Sequence, residues 1–272
     1  MGVPCIEIYM RLHLNLPNLL LRRRPPKKGM MMGKIAVVTG AAGGMGRAIV
    51  TKLIADGMHV VGLDLDADAL AEMAQAPEFQ GIATDLTDPG AIAAAFSQIA
   101  ADHGGVDALV NNAGTCFMSE FPDIPVAEFE TQMALNFSGA FHCCQAAIKL
   151  MEGRDGVRKI VNISSNGAYN FDAFDPAHYR ASKAALDTLT KDLARRFATD
   201  KIAVNSIAPA MTETPLFNVV SEEVLAEAIA QMPHGRAMQP SEIAAWVGFL
   251  ISPAGDVSSG NVIILNQGRD VR

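Results

Sequence analysis

Short apolar runs alternate with longer helix-like stretches along this chain from Gly33 onward. Lys34–Thr39, His59–Asp64, Gln80–Thr84, Ala108–Asn111, Lys159–Ser164, Ala203–Ile207 and Val262–Leu265 are rich in β-branched residues and mostly lack polar alternation. Strands that are apolar throughout are buried on both faces, which calls for a parallel sheet covered by helices. Gly44–Asp56, Gly90–Ala101, Val126–Met151, Ala177–Ala198 and Ser241–Ile251 are the predicted helices between them, with Ser241 and Glu242 marking the start of the last. Alternation of this kind folds as right-handed crossovers. The expected architecture is α/β: a doubly wound parallel sheet of about seven strands with helices on both faces. No repeat or interior linker interrupts the pattern, so residues 33–272 read as one domain.

Residues 1–32 stand apart. They carry Arg11, Arg22, Arg23, Arg24, Lys27 and Lys28 against the single acid Glu7, and they are interrupted by Pro4, Pro17, Pro25 and Pro26. A targeting segment, a disordered basic tail and upstream sequence read from a start codon other than the natural one all fit. The run Met30-Met31-Met32, just before the first strand, favours the last of these.

Half of the residues are hydrophobic and 19% are charged, enough apolar material for a sizeable core. The net charge of -7 argues against a nucleic-acid partner, which needs a basic surface. No apolar run reaches the roughly 18 residues of a membrane span. Cys5, Cys116, Cys143 and Cys144 form no CxxC pair and read as small buried hydrophobes in a reduced, cytoplasmic compartment. No His/Cys cluster has metal-ligand spacing, and no metal is expected.

The first strand runs into Thr39-Gly40-Ala41-Ala42-Gly43-Gly44-Met45-Gly46, and a helix follows. Glycines there allow a tight turn and a close backbone approach to a pyrophosphate, which the helix N-terminus attracts. Asp64 closes the second strand 24 residues after Gly40 (64 − 40). An acid at that distance receives the adenosine ribose hydroxyls of NAD and repels the extra phosphate of NADP. Asp66 and Asp68 add negative charge, and Arg47 reads as a solvated helix-face charge. NAD is therefore expected ahead of NADP. Asp85, ending the third strand, is placed either to reach the adenine or to cap its own loop.

With the turn Thr39–Gly46 the chain also carries Asn111-Asn112-Ala113-Gly114 after the fourth strand, Asn136 in a following helix, Ile163-Ser164-Ser165 ending the fifth strand, and Tyr179-Arg-Ala-Ser-Lys183. Together these resemble the short-chain dehydrogenase/reductase family in its single-domain form, over Gly33 to about Gly268. The resemblance implies a Rossmann fold, a nicotinamide cofactor and a homotetramer or homodimer. It implies that Tyr179 is the catalytic acid/base and Lys183 its partner, that Ser165 orients the carbonyl or alcohol, and that Asn136 holds a relay water. Gly40, Gly44, Met45, Gly46, Asp64, Asp85, Asn112, Ala113, Gly114, Tyr179, Lys183, Pro209, Thr212 and Thr214 would contact the cofactor. The chemistry fits the spacing: Tyr179 and Lys183 are i and i+4 on a helix, sharing a face, and a nearby ammonium favours the phenolate. Departures are present. Ser165 precedes Tyr179 by 14 positions (179 − 165), about one more than is usual in the family. Ala210 follows Pro209 where the family has Gly, and Asn266-Gln267-Gly268 replaces Asp-Gly-Gly.

Two segments are expected to form the substrate pocket. One is 166–178, with Tyr169, Phe171, Phe174 and His178; its Asp172 and Asp175 read as pocket or solvent-facing charges. The other is 210–236, around a short amphipathic helix at Ser221–Gln231. Phe117 and Met118 follow the Asn-Asn-Ala-Gly motif and are further candidates. A small substrate, hydrophobic or ring-containing, is expected. The leading function is NAD(H)-linked interconversion of a secondary alcohol, or diol, and a ketone. The alternatives are a 3-oxoacyl thioester reductase using NADP(H) and a non-catalytic NAD-binding protein.

Overall fold

The computed structural model describes residues 33–170, 175–215, 217 and 221–270. Seven parallel strands form one sheet in the order β3-β2-β1-β4-β5-β6-β7. They are β1 Ile35–Thr39, β2 His59–Asp64, β3 Phe79–Ala83, β4 Ala108–Asn111, β5 Arg158–Ile163, β6 Ile202–Pro209 and β7 Val262–Leu265. The sheet covers every run expected to be a strand, with ends moved by one or two residues. The helices are α1 Gly44–Ala55, α2 Ala67–Met73, α3 Pro89–His103, α4 Val126–Met133, α5 Ala140–Met151, α6 Ala177–Arg196, α7 Glu222–Ala230 and α8 Pro240–Ile251.

The two faces of the sheet bury separate apolar clusters. Val38, Val60, Val110 and Val161 meet Ile49, Leu53, Ile243 and Val247 of α1 and α8 on one side. Val37, Val61, Leu109 and Ile160 meet Ile92, Phe96, Ile99 and Ala147 of α3 and α5 on the other. Alternate residues of one strand thus enter opposite cores, the reason these strands show no polar alternation.

Three local expectations change. The stretch Val126–Met151 is not one helix. A π turn over Ala134–Gly139 separates α4 from α5, and a Cβ on Gly139 would lie 2.5 Å from the carbonyl oxygen of Leu86. The wider turn lets Gly139 meet that strand-end loop and carries Asn136 inward. The last helix starts before Ser241: Gln239 caps it, its N–H donating to Glu242 Oε2 at 2.7 Å, and Pro240 takes the first position. Helix α2 had no periodic signal. It is seven residues long and starts on Asp66, whose carboxylate accepts from the Ala69 N–H.

The strand order reverses between β1 and β4. Loops leaving the C-terminal ends of these two strands diverge there and open a crevice, the place where doubly wound sheets bind their ligands. Phe171, Asp172 and Phe174 lie outside the described residues, as does the segment 1–32.

Candidate active site

The glycine turn is held by close backbone contacts. Gly40 has φ +63°, in the left-handed region, and a Cβ there would sit 2.8 Å from the Ala113 Cα. A Cβ on Gly46 would overlap the Gly40 carbonyl oxygen and lie 2.9 Å from the Ala41 Cα. Asn112 Nδ2 donates to the carbonyls of Thr39 and Gly40, each at 3.0 Å. Thr39 Oγ1 accepts from the N–H groups of Asn112 and Ala113 at 3.0 and 3.1 Å. Asn112 and Ala113 thus fasten the turn. Asn111 lies below it, donating to Asn162 Oδ1 inside the sheet. No side chain caps α1 at Gly43, so its N-terminal N–H groups and the positive end of its dipole face the crevice. This cradle fits a dinucleotide pyrophosphate.

Asp64 is oriented onto the same turn. Its Oδ2 accepts from the Ala42 N–H at 2.9 Å and its Oδ1 from the Asp66 N–H at 3.1 Å. Arg47 Nε donates to the Ala42 carbonyl at 2.8 Å, and its guanidinium stands 3.8 Å from Glu72. Asp85 is exposed and closes an Asx turn, accepting from Thr87 N and Oγ1 at 2.8 and 2.7 Å. These bonds hold its carboxyl below the usual range. The loop-capping reading describes its contacts.

Strand β5 and helix α6 bring the acid/base candidates together. Lys183 is 4% exposed. Its Nζ donates to the Ile163 carbonyl at 2.9 Å and lies 5.9 Å from the centre of the Tyr179 ring. Burial lowers the Lys183 pKa to about 8, while Asp187 and Cys116 oppose the shift. Burial raises the Tyr179 phenol, the charge of Asp175 raises it further, and a hydrogen bond with Ser165 lowers it. Ser165 lines the cleft two residues beyond the end of β5, with its Oγ accepting from the Gly167 N–H at 3.0 Å. Ser164 turns the other way and donates to Asp187 Oδ2 at 2.8 Å.

Asn136 is 1% exposed. Its Nδ2 donates to the Thr115 carbonyl and to Ser182 Oγ at 2.9 and 3.1 Å, and its Oδ1 accepts from the Thr115 N–H at 2.8 Å. A Cβ on Gly114 would meet both Asn136 Oδ1 and Lys183 Nζ at 3.2 Å. The side chain of Asn136 therefore ties the loop after β4 to helix α6 beside Lys183.

A cleft of about 890 Å³, counted to its open mouth, joins these groups. Met45, Pro209, Ala210, Thr212 and Thr214 line it toward the glycine turn. Cys116, Met118, Asp175, Met211, Phe217 and Arg269 line the outer part. Tyr169 does not line it; its hydroxyl donates to Asp187 Oδ2 at 2.8 Å. His178 is buried, with Nε2 3.1 Å from Glu128 Oε1, a structural position. Ala210 replaces glycine without strain, because its backbone is outside the left-handed region and its N–H continues the ladder to Leu265. Gln267 does occupy that region, at φ +60°. Its side chain accepts from the His234 N–H at 2.9 Å and donates to the Arg236 carbonyl at 3.1 Å, offsetting about 1–2 kcal/mol of strain.

Asp187 is the residue that sequence reasoning passed over. It is 3% exposed and accepts from Ser164 and Tyr169 at 2.8 Å each and from Ser206 Oγ at 2.6 Å. Burial raises its carboxyl, and these donors together with Lys183 oppose that. It couples the Tyr179–Lys183 helix to the ends of β5 and β6. Its signal was its position, i+4 from Lys183 on the face of α6 that meets the sheet.

A glycine cradle at the sheet's switch point, an acid on the neighbouring strand and a Tyr179 that lines the adjoining cleft with Lys183 buried behind it define a nicotinamide-dependent oxidoreductase. Residues 40–270 match the family model described as enoyl-(acyl carrier protein) reductase. A 3α-hydroxysteroid dehydrogenase of Mediterraneibacter gnavus is 34% identical over 86% of this chain and 96% of its own length. An acetoacetyl-CoA reductase of an Acinetobacter species is 35% identical over 86% of this chain and 97% of its own length. A solved structure described as a glucose/ribitol dehydrogenase of the short-chain family, from Brucella melitensis, superposes with a TM-score of 0.83 at 31% identity, covering 89% of this chain and 99% of that one. The chain belongs to the short-chain dehydrogenase/reductase family, oxidoreductases that interconvert CH–OH and keto groups with a nicotinamide dinucleotide. Among the described residues, no helix is long and apolar enough to cross a membrane.

Proposed function

We propose that this protein is an NAD(H)-dependent dehydrogenase/reductase interconverting a secondary alcohol and a ketone. The observation that carries the proposal is the convergence of Ser165 and Tyr179 on one cleft beside the uncapped glycine turn, with buried Lys183 next to the Tyr179 ring. Gly40, Gly44, Met45 and Gly46 would receive the pyrophosphate, Asp64 the adenosine ribose, Asn112, Ala113 and Gly114 the middle of the cofactor, and Pro209, Thr212 and Thr214 the nicotinamide end. Asp85 would stand near the adenine. When bound, the nicotinamide accepts or supplies the hydride. Ser165 donates a hydrogen bond to the substrate oxygen and aligns it on Tyr179. The Tyr179 phenolate takes the alcohol proton in oxidation, and the hydroxyl so formed returns it in reduction. The Lys183 ammonium favours the phenolate and can reach the nicotinamide ribose. Asn136 holds the β4 loop and α6 in register, fixing where Lys183 stands and where a relay water would enter.

The Tyr179–Lys183 pair titrates as a unit. With Lys183 brought to about 8, the pair sheds one proton near that pH. Alcohol oxidation needs the pair to accept a proton, so its rate should rise through about pH 8. Ketone reduction should fall across the same range. Initial rates in both directions against pH test this, and parallel profiles would overturn it.

NAD is preferred over NADP because Asp64 presents a carboxylate on the Ala42 N–H, where an added phosphate would be repelled, while Arg47 is engaged by Ala42 and Glu72. Asp64→Ser should shift the NADH/NADPH ratio of kcat/KM toward NADPH by at least about tenfold, the size of one lost charge contact of about 1.4 kcal/mol. A wild-type enzyme that prefers NADPH would refute the reading.

The methionines of the cleft and Phe217 support a substrate with apolar surface. A second reading, reduction of a 3-oxoacyl thioester with NADP(H), is favoured by the likeness to the acetoacetyl-CoA reductase. Turnover of acetoacetyl-CoA would support it. The intact set Asn136, Ser165, Tyr179 and Lys183 opposes a non-catalytic binding role.

A further inference from the structure

Asp175 sits in the outer cleft immediately before helix α6, close to where the substrate oxygen would bind. It is partly exposed and lines the cleft. Its carboxylate fills the space over the Cα of Gly167: a Cβ on Gly167 would overlap Asp175 Oδ2 and come within 3.2 Å of Ser165 Oγ. The carboxylate and the Ser165 hydroxyl therefore lie close together beside Gly167 on the cleft wall. Only glycine at 167 leaves that room.

No described residue donates a hydrogen bond to this carboxylate. The charges acting on it are the guanidinium groups of Arg180 and Arg269, and burial raises its pKa despite them. Both guanidiniums have acceptors elsewhere. Arg180 donates to the Asp175 and Asn170 carbonyls at 2.7 and 2.6 Å, and Arg269 to Gln231 Oε1 at 2.6 Å. The carboxylate oxygens meet solvent in the cleft rather than a protein donor, and a ligand hydroxyl that displaces that water can take its place as donor.

We propose that Asp175 is a specificity-determining residue that accepts a hydrogen bond from a second hydroxyl of the substrate, on the carbon next to the reacting carbinol. The inference rests on the dehydrogenase reading above and narrows its substrate class to vicinal diols and polyols. The carbon next to the reacting centre distinguishes the candidates. In a 3-oxoacyl thioester it is a methylene leading to a carbonyl, and in a steroid ring alcohol it is a ring CH₂. Both would place a non-donor against the carboxylate. A vicinal hydroxyl is a donor, and it is neutral. An ammonium there would also face Arg180 and Arg269, so the amino alcohol is disfavoured.

The test compares butane-2,3-diol with butan-2-ol, using NAD and the full-length protein. Wild type should favour the diol in kcat/KM. In Asp175→Ala the diol-to-monoalcohol ratio should fall by about tenfold to a hundredfold, as for one hydrogen bond to a charged group. Asp175→Asn, whose amide oxygen still accepts, should lie between. An unchanged ratio in Asp175→Ala overturns the proposal, as does a wild type that favours the monoalcohol. NADH binding by fluorescence and the melting temperature verify that each variant is folded. If neither alcohol is turned over, the dehydrogenase reading fails by itself. Asp175 is then read from the melting shift that the diol produces on the protein–NADH complex. That shift should be present in wild type and lost in Asp175→Ala; equal shifts, or none in wild type, overturn the inference.

Discussion

Replacing Tyr179 by phenylalanine should lower kcat by about 10²–10⁴-fold, the usual worth of a positioned acid/base, and leave NADH affinity within a few fold. The substitution removes one oxygen. The ring stays in place, and with it the contact at 5.9 Å with Lys183 Nζ. Lys183 also keeps its bond to the Ile163 carbonyl at 2.9 Å, so the side that would hold the ribose is undisturbed. The lost group is the hydroxyl paired with Ser165 at the substrate end of the cleft. The other ionisable groups nearby are poor substitutes. The Cys116 thiol, for one, is pushed up to about 12 by burial. Single-turnover rates with saturating cofactor, together with NADH fluorescence titration, separate the two effects. Turnover near the wild-type rate in Tyr179→Phe would move the proton transfer to another residue.

Gly46→Ala should cost the protein both its cofactor and part of its stability. The new Cβ would run into the Gly40 carbonyl oxygen and lie 2.9 Å from the Ala41 Cα. Backbone sits on both sides of that contact, so relief means moving the turn or the first residues of α1. Overpacking of this kind costs about 1–3 kcal/mol, a drop of roughly 2–12 °C in Tm for a domain of this size. The displaced turn is the proposed pyrophosphate cradle, so NADH affinity should fall at least tenfold. Gly43→Ala is the matched control. A Cβ there meets only the Gly40 oxygen, at an ordinary 3.5 Å, and both quantities should stay close to wild type. Wild-type NADH affinity in Gly46→Ala would show that the turn does not bind the cofactor.

How far the chain could be read follows from the range of each signal. Strand runs such as His59–Asp64 and Ala108–Asn111 were legible to the residue, because burial on both faces leaves a continuous apolar mark on a single segment. The turn Thr39–Gly46 and the i, i+4 pair of Tyr179 and Lys183 were legible for the same reason. Helix α2 was not, since seven residues span only two turns and show no period. The break in Val126–Met151 was hidden as well: its cause is the approach of Gly139 to Leu86, more than fifty positions away.

Sequence alone determined the parallel α/β architecture, the glycine turn with Asp64 after it, and the placing of Tyr179 and Lys183 one helical turn apart. Each of these is a local pattern imposed by helix or strand geometry. Tertiary structure alone decided that Ser164 is bonded to Asp187, where Asn136 is anchored, that Asp187 accepts from three hydroxyls behind Lys183, and that Asp175 lines the cleft. These depend on contacts between distant segments, with Asn136 reaching Thr115 and Asp187 reaching Ser206. A polar residue's role there is set by which donors the fold brings within about 3 Å, a distance that no local periodicity encodes.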